Sequence, residues 1–441
     1  MRKMKDSGVE WIGEIPEEWE LIPIGALTDK VQYAMVDGPF GSDLKNEEYV
    51  DEGIPIVQLT NIRPMHHNTS TLKFVTPEKA DSLKRHNAKN GDLVIAKMMP
   101  AGRTCILSDI SERYVVCADV IKASIADRYI KRFVAYAMNN YGVVAAETMS
   151  SGSTRVRISL SIAKKLKIAF PQRNELLKVV DYLDAKCSKI DSIIARQEEI
   201  IEKLKEYKLS VITEAVTKGL DPDVEMKDSG VEWIGKIPKH WNVSKLKQVA
   251  LFFNGDRSSK YPSGEDIVKE GIPFITSNNL GQIYLDTNID SNKFITREKY
   301  DDLGGAKLFI NDIVFCLRGS VGKCGLNKTL TDGTIASSLV DIRPNGINAE
   351  FLNMVLHNPG VTAVASVNAI GIGSLNLSAK DISEVYVPIP PDSEANEIAI
   401  WLQQKTLKIE RMITKYEAFI EKLNSYKKSL IYEVVTGKKE V

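Results

Sequence analysis

"MKDSGVEWIGEIPEEW" occupies Met4 to Trp19, and "MKDSGVEWIGKIPKHW" occupies Met226 to Trp241. Thirteen of the sixteen positions are identical. A repeat spaced this widely lies far above solenoid periods, so it predicts two duplicated domains rather than a stacked array. Working outward, "EGIPIVQLTNI" (Glu52 to Ile62) answers to "EGIPFITSNNL" (Glu270 to Leu280). "NGDLVIAKMMPAGRTCIL" (Asn90 to Leu107) answers to "INDIVFCLRGSVGKCGL" (Ile310 to Leu326). "SGSTRVRISLSIAKKLKIAFP" (Ser151 to Pro171) resembles "AIGIGSLNLSAKDISEVYVPIP" (Ala369 to Pro390), and "IEKLKEYKLSVITEAVT" (Ile201 to Thr217) resembles "IEKLNSYKKSLIYEVVT" (Ile420 to Thr436). Between these blocks the two halves diverge.

The first 170 or so residues of each half read as mixed α and β. Short runs such as "IPIVQL" and "DLVIA", bounded by Gly, Asn, Asp and Pro, are strand and turn signals. "RYIKRFVAYAMNN" and "AEFLNMVLHN" space their apolar residues as short amphipathic helices. After Pro171 and Pro391 the pattern changes to steps of four and three. Leu183, Ile190, Ile194, Ile201 and Leu204 carry the first seam, and Leu402, Ile409, Ile413, Ile420 and Leu423 the second. Such spacing, with Glu and Lys at the other positions, predicts coiled-coil helices, each roughly 65 Å long. Gly219 and Gly437 stand where a helix end prefers glycine. Lys208 and Lys427 interrupt the seams. They either specify register or partner choice, or snorkel along the seam to water; the second is expected.

The expected class is α+β: two mixed α/β globular domains in internal repeat, separated by two long antiparallel coiled-coil helices related by a pseudo-twofold axis. The expected boundaries are 1–172 for the first domain, 173–218 for the central helix, 219–391 for linker and second domain, and 392–441 for the C-terminal helix.

Composition sets limits on function. The 441 residues include 58 basic and 58 acidic side chains, so a nucleic-acid role requires basic groups concentrated on one surface or phosphate contacts supplied by a partner. Five scattered cysteines, Cys105, Cys117, Cys187, Cys316 and Cys324, fit neither a disulfide framework nor a zinc site and suit a reducing cytoplasm. No apolar run has membrane-spanning length, and the start of the chain shows no signal-peptide stretch.

The layout of domain, long helix, domain, long helix resembles the specificity (S) subunit of type I restriction-modification systems. "KDSGVEWIGEIPEEW" with its copy, the junction "VTKGLDPDVEMKDSGVEWIG" (Val216 to Gly235), "TNI", "GDLVIA" and "NDIVF" carry the resemblance, which covers essentially the whole chain. It implies that each globular part is a target recognition domain reading one half of a bipartite site in double-stranded DNA. It also implies that the helices set the spacing and dock two modification (methyltransferase) subunits, which restriction (endonuclease/translocase) subunits join. S-adenosylmethionine, ATP and Mg would then be bound by those partners, and this cytoplasmic chain would be non-catalytic.

Base edges are read by paired donors and acceptors, Arg and Lys suiting guanine and Asn and Gln suiting adenine, while phosphate contacts set register. Loops after short strands are the candidate places. In the first half these are "DGPFGSDLK" with Ser42 and Lys45, then Gln58, Asn61, Arg63, Lys97 and Arg103, and "SSGSTRVR" with Ser153, Thr154, Arg155 and Arg157. In the second they are Arg257, Lys260, Ser277, Asn278, Asn279, Arg318, Ser320, Lys323, Ser374 and Asn376. Trp11 and Trp233 are expected to pack the start of each domain, not to stack on bases.

Two rival classes fit less well. The first is a methyltransferase or nuclease that carries its own reader, and an adenine methyltransferase needs an Asn-Pro-Pro-aromatic motif and a Gly-rich loop for S-adenosylmethionine. "HNPG" (His357 to Gly360) lacks the second Pro and the aromatic, and "PDVEMK" (Pro222 to Lys227) lacks the strand framework of a nuclease metal site. A protein-only coiled-coil adaptor accounts for the helices but not for two divergent globular parts.

Overall fold

The computed structural model describes residues 2–40, 43–150, 156–281, 283–288, 292–368 and 376–441. The chain packs as two compact units, Met1–Gln197 with Ala418–Val441, and Glu198–Glu417. The long helices Arg173–Lys218 and Asp392–Val435 each contribute one part to one unit and the remainder to the other. A unit is therefore more than a globular part and the helix that follows it.

In the first unit a four-stranded antiparallel sheet runs in the order Thr104–Ile106, Leu93–Ala96, Val120–Ala123, Met35–Asp37. A second sheet orders Lys73–Val75, Ile54–Val57, Arg113–Val116 and Asn87–Lys89, with its middle pair parallel. Leu93, Val94, Ile95 and Ala96 are all buried, because this strand is covered on both faces and needs no polar alternation. In the second unit the corresponding sheet runs Cys324–Leu326, Ile313–Cys316, Leu339–Pro344, Ala250–Asn254, the same order. Its partner sheet again contains one parallel pair, Ile272–Ile275 with Thr334–Ile335. The edges differ: Asn87–Lys89 closes one side in the first unit, whereas only a Lys307–Thr334 bridge stands there among the described residues of the second.

The repeated opening has a mechanical role in each unit. In the first, Met4–Asp6 pairs with Glu14–Pro16 as a hairpin that delivers Trp19 into the core. The fully buried indole donates its Nε1–H to Glu175 Oε2 at 2.8 Å. Glu175 lies in the first turn of the long helix, where a carboxylate also meets the positive end of the helix dipole. Gly437, with φ of +70°, ends the second long helix against Pro16 and Trp19, and a Cβ there would stand 2.5 Å from Pro16 Cγ. The second unit repeats the device. Trp241 Nε1 donates to Glu394 Oε2 at 3.0 Å, and Gly219, φ +75°, ends the first long helix beside Trp241. The hairpin therefore clasps the start of one helix and the end of the other. Trp11 and Trp233 pack at the edge of these clusters, Trp233 donating to the Tyr386 carbonyl.

Within the first unit, Leu176, Leu183 and Ile190 of the first helix share a core with Leu430 and Val434 of the second. Within the second unit, Val211 and Ala215 share one with Ala395, Ala399 and Leu402. Among the seam positions, Leu183, Ile190, Ile201, Leu402 and Ile409 are buried, while Ile194, Leu204, Ile413, Ile420 and Leu423 are half-buried. The interrupting lysines do not snorkel freely, contrary to expectation. Lys208 Nζ meets Glu410 Oε1 at 2.5 Å in the second unit, and Lys427 Nζ meets Asp191 Oδ1 at 2.5 Å in the first. Each lysine takes an acid of the other helix, because a carboxylate within reach is a better partner for a half-buried ammonium than distant water.

Candidate nucleic-acid interface

In both units the loops that follow sheet strands are shaped by backbone capping before any side chain can reach outward. The turn Leu59–Asn61 is held by buried Asn61, whose Oδ1 accepts from Gln58 N at 2.8 Å and whose Nδ2 donates to Asn68 O at 3.0 Å. Asn279 does the same for Ser277–Asn279, accepting from Thr276 N at 2.9 Å and donating to Asp286 O at 2.8 Å. This corrects the expectation for both residues. A buried amide that has spent both ends on its own loop cannot present a donor–acceptor pair to adenine, so these two asparagines build the loops. Asn278 remains exposed beside the second turn, Ser277 half-buried, and Gln58 half-buried beside the first.

Lys97 is likewise corrected. It is buried and its Nζ pairs with Asp37 Oδ2 at 2.9 Å, so it ties two strand ends together instead of facing a ligand. Arg103 is different. Its Nη2 donates to the Leu59 carbonyl at 3.0 Å, while its buried Nε has no hydrogen-bond partner among the described residues. Burial, and then the charge of exposed Arg63, push its pKa down. Two guanidiniums that disfavour each other, one with a donor unspent, are stabilised by an arriving anion such as a phosphate. Arg157 is exposed and pairs with Asp119 at 2.7 Å, and Lys45 is exposed at the far end of its loop.

In the second unit a cavity of about 700 Å³ opens at the strand end Phe252–Asn254, lined also by Arg257, Lys260, Asp302 and Gly304. Arg257 Nε donates to the Ser337 carbonyl at 3.3 Å, and Lys260 pairs with Asp302. Arg318 and Lys323 are exposed on either side of the turn containing Ser320, and Arg318 forms a bridge with Asn376. In the first unit the structure thus brings Arg63 and Arg103 together beside Leu59, while Lys97 and Arg157 pair elsewhere, with Asp37 and Asp119. Ser42, Ser153, Thr154, Arg155 and Ser374 lie outside the described residues.

Sequence reading missed a buried acidic pair behind this surface. Arg343 lies between the rings of Phe253 and Phe309, 4.5 and 4.4 Å from their centroids, and bonds both oxygens of Asp312 at 2.9 Å. Asp341 is fully buried beside them. Burial and the Asp312 carboxylate, opposed by Arg343, push its carboxyl up to about 8. Also missed were Asn140 and Asn358, which reach from the globular parts to the Lys428 carbonyl and the Thr213 hydroxyl of the long helices. Their only signal was recurrence at matching places in the two halves. No His/Cys/Asp/Glu group able to hold a metal occurs among the described residues, and no helix among them is long and apolar enough to cross a membrane.

Residues 238–418 match the model of the type I restriction modification DNA specificity domain, and the relatives that the chain resembles are specificity subunits of type I restriction enzymes. The EcoKI specificity subunit of Escherichia coli K12 is 22% identical, with 96% of this chain and 90% of that protein covered. The EcoBI specificity subunit of Escherichia coli is 25% identical over 70% of this chain and 66% of that one. The putative MjaX specificity subunit of Methanocaldococcus jannaschii is 22% identical over 97% and 95%. A chain from a solved structure concerned with assembly and conformational transition of a type I R-M system shares the fold, with a TM-score of 0.67 at 13% identity over 96% and 98% of the two chains. The matched family is not a catalytic one.

Proposed function

We propose that this chain is the non-catalytic DNA-reading subunit of a type I restriction-modification complex, in which each unit reads one half of a bipartite site. The long helices pair antiparallel as a coiled coil with pseudo-twofold symmetry, fix the gap between the half-sites and dock two modification subunits. Restriction subunits join that complex. S-adenosylmethionine, ATP and Mg act on those partners, in the cytoplasm. The observation that carries this reading is a common frame with different filling. The same strand order and the same Trp–Glu clasp occur in both units, while the loop residues differ. A frame used twice with unlike side chains suits two unlike half-sites, since base contacts carry sequence and the frame carries none.

The test is an exchange of residues 227–391 for the corresponding block of a relative with a different site, followed by methylation mapping of the host genome. One half-site is expected to change and the other to persist. A change in both would overturn the assignment of one unit to one half-site.

A further inference from the structure

We propose that Phe40 in the first unit and Arg257 in the second occupy one equivalent place and each read one base. Phe40 makes an apolar contact with a thymine 5-methyl group, and Arg257 makes a paired donor contact with guanine O6 and N7. This rests on the DNA-reading role proposed above.

The equivalence is set by backbone. Met35–Asp37 and Ala250–Asn254 are edge strands of the matching sheets, paired with Val120–Ala123 and Leu339–Pro344. The next residue is glycine in each. Gly38 N donates to the Val120 carbonyl at 3.0 Å, and Gly255 N to the Leu339 carbonyl at 3.4 Å. A Cβ would stand 2.0 Å from the Cys117 carbonyl oxygen at the first and 2.3 Å from that of Ala336 at the second, so only glycine fits the approach. Two residues further on stand Phe40 and Arg257, both exposed.

Their chemistry is opposite. Phe40 is 81% exposed, and no ring or cation–π contact engages it among the described residues. Leaving so large an apolar group in water is unfavourable unless a ligand covers it. Arg257 has no carboxylate partner among the described residues; its Nε leans on the Ser337 carbonyl and its Nη2 lies 3.5 Å from Asn254 Oδ1. A guanidinium held by two long contacts to neutral oxygens, with no carboxylate to neutralise it, keeps N–H donors for the acceptor pair of guanine. A protein partner present in two identical copies would meet like chemistry at like places. One cradle displaying a phenyl ring in one unit and a guanidinium in the other fits two different bases.

The test uses the assembled methyltransferase complex containing the full chain, with its bipartite site first read from wild-type methylation mapping. Replacing one thymine of one half-site by deoxyuridine removes a single methyl group and is expected to weaken binding about fourfold. Phe40→Ala is expected to bind the two duplexes equally. Replacing one guanine of the other half-site by 7-deazaguanine is expected to weaken wild-type binding about tenfold, and Arg257→Gln to be indifferent to it. Indifference of the wild type to deoxyuridine at every thymine of that half-site, or an undiminished penalty in Phe40→Ala, would overturn the thymine contact. The same outcomes with 7-deazaguanine and Arg257→Gln would overturn the guanine contact. Absence of any sequence-selective binding by the wild type would instead bring down the DNA-reading role itself.

Discussion

At Asp341 the fold keeps a carboxyl in a place that suits its neutral form. One oxygen accepts from Arg343 at 3.2 Å, while Oδ1 is buried without a partner among the described residues. An ordinary carboxyl titrates near 4 in the unfolded chain, against about 8 here. The folded state therefore holds this proton more tightly, and stability is lost as pH rises from about 4 toward 8. Asp341→Asn mimics the protonated acid, accepting from Arg343 and donating toward Asp312. Relative to wild type it is expected to gain at least about 1 kcal/mol more at pH 9 than at pH 5. Denaturant unfolding across that range checks it, and a difference flat with pH would refute the assignment. Asn61 and Asn279 make the opposite case, because their amides were read as base contacts and prove to be loop fasteners. Asn61→Ala and Asn279→Ala are each expected to cost about 1–3 kcal/mol of stability while leaving the methylated sequence unchanged. A relaxed recognition motif with unaltered stability would contradict this. No sequence signal separates an exposed loop asparagine from a buried one, since burial depends on Asn68 and Asp286 arriving from later in the chain.

Among the elements, the long helices were legible from their three-and-four spacing, and their observed limits, Arg173–Lys218 and Asp392–Val435, follow from proline before and glycine after. What the spacing left open was which acid each interrupting lysine meets. Lys208 with Glu410 is part-buried on both sides, so screening reduces but does not abolish the pair. Lys208→Glu is expected to cost about 1 kcal/mol, and the double exchange Lys208→Glu with Glu410→Lys to recover most of it. A double-mutant cycle with no coupling would show that the contact contributes nothing. The short strands were legible in kind but not in partner. A run such as "IPIV" accommodates parallel or antiparallel neighbours, and its parallel pairing with Arg113–Val116 is a choice made across the sheet.

For the whole molecule, the proposed role makes helix length a determinant of DNA spacing. Inserting four residues after both Ile194 and Ile413 adds roughly 6 Å to each helix, about two base pairs of duplex. The methylated site is expected to keep both half-sites and to widen its nonspecific gap. Methylation mapping that returned the original gap would detach spacing from the helices.

The two long helices and the mixed helix-and-strand class of fold were legible in the sequence because they rest on periodic patterns, and local chemistry enforces them wherever the chain goes. Tertiary structure alone decided that Trp19 and Trp241 clasp two helix ends, that Lys97, Asn61 and Asn279 turn inward, and that Phe40 and Arg257 follow equivalent glycine cradles. Those facts depend on which distant backbone carbonyls and carboxylates come within hydrogen-bond range. Such distances are properties of the packed chain and leave no periodic trace along it.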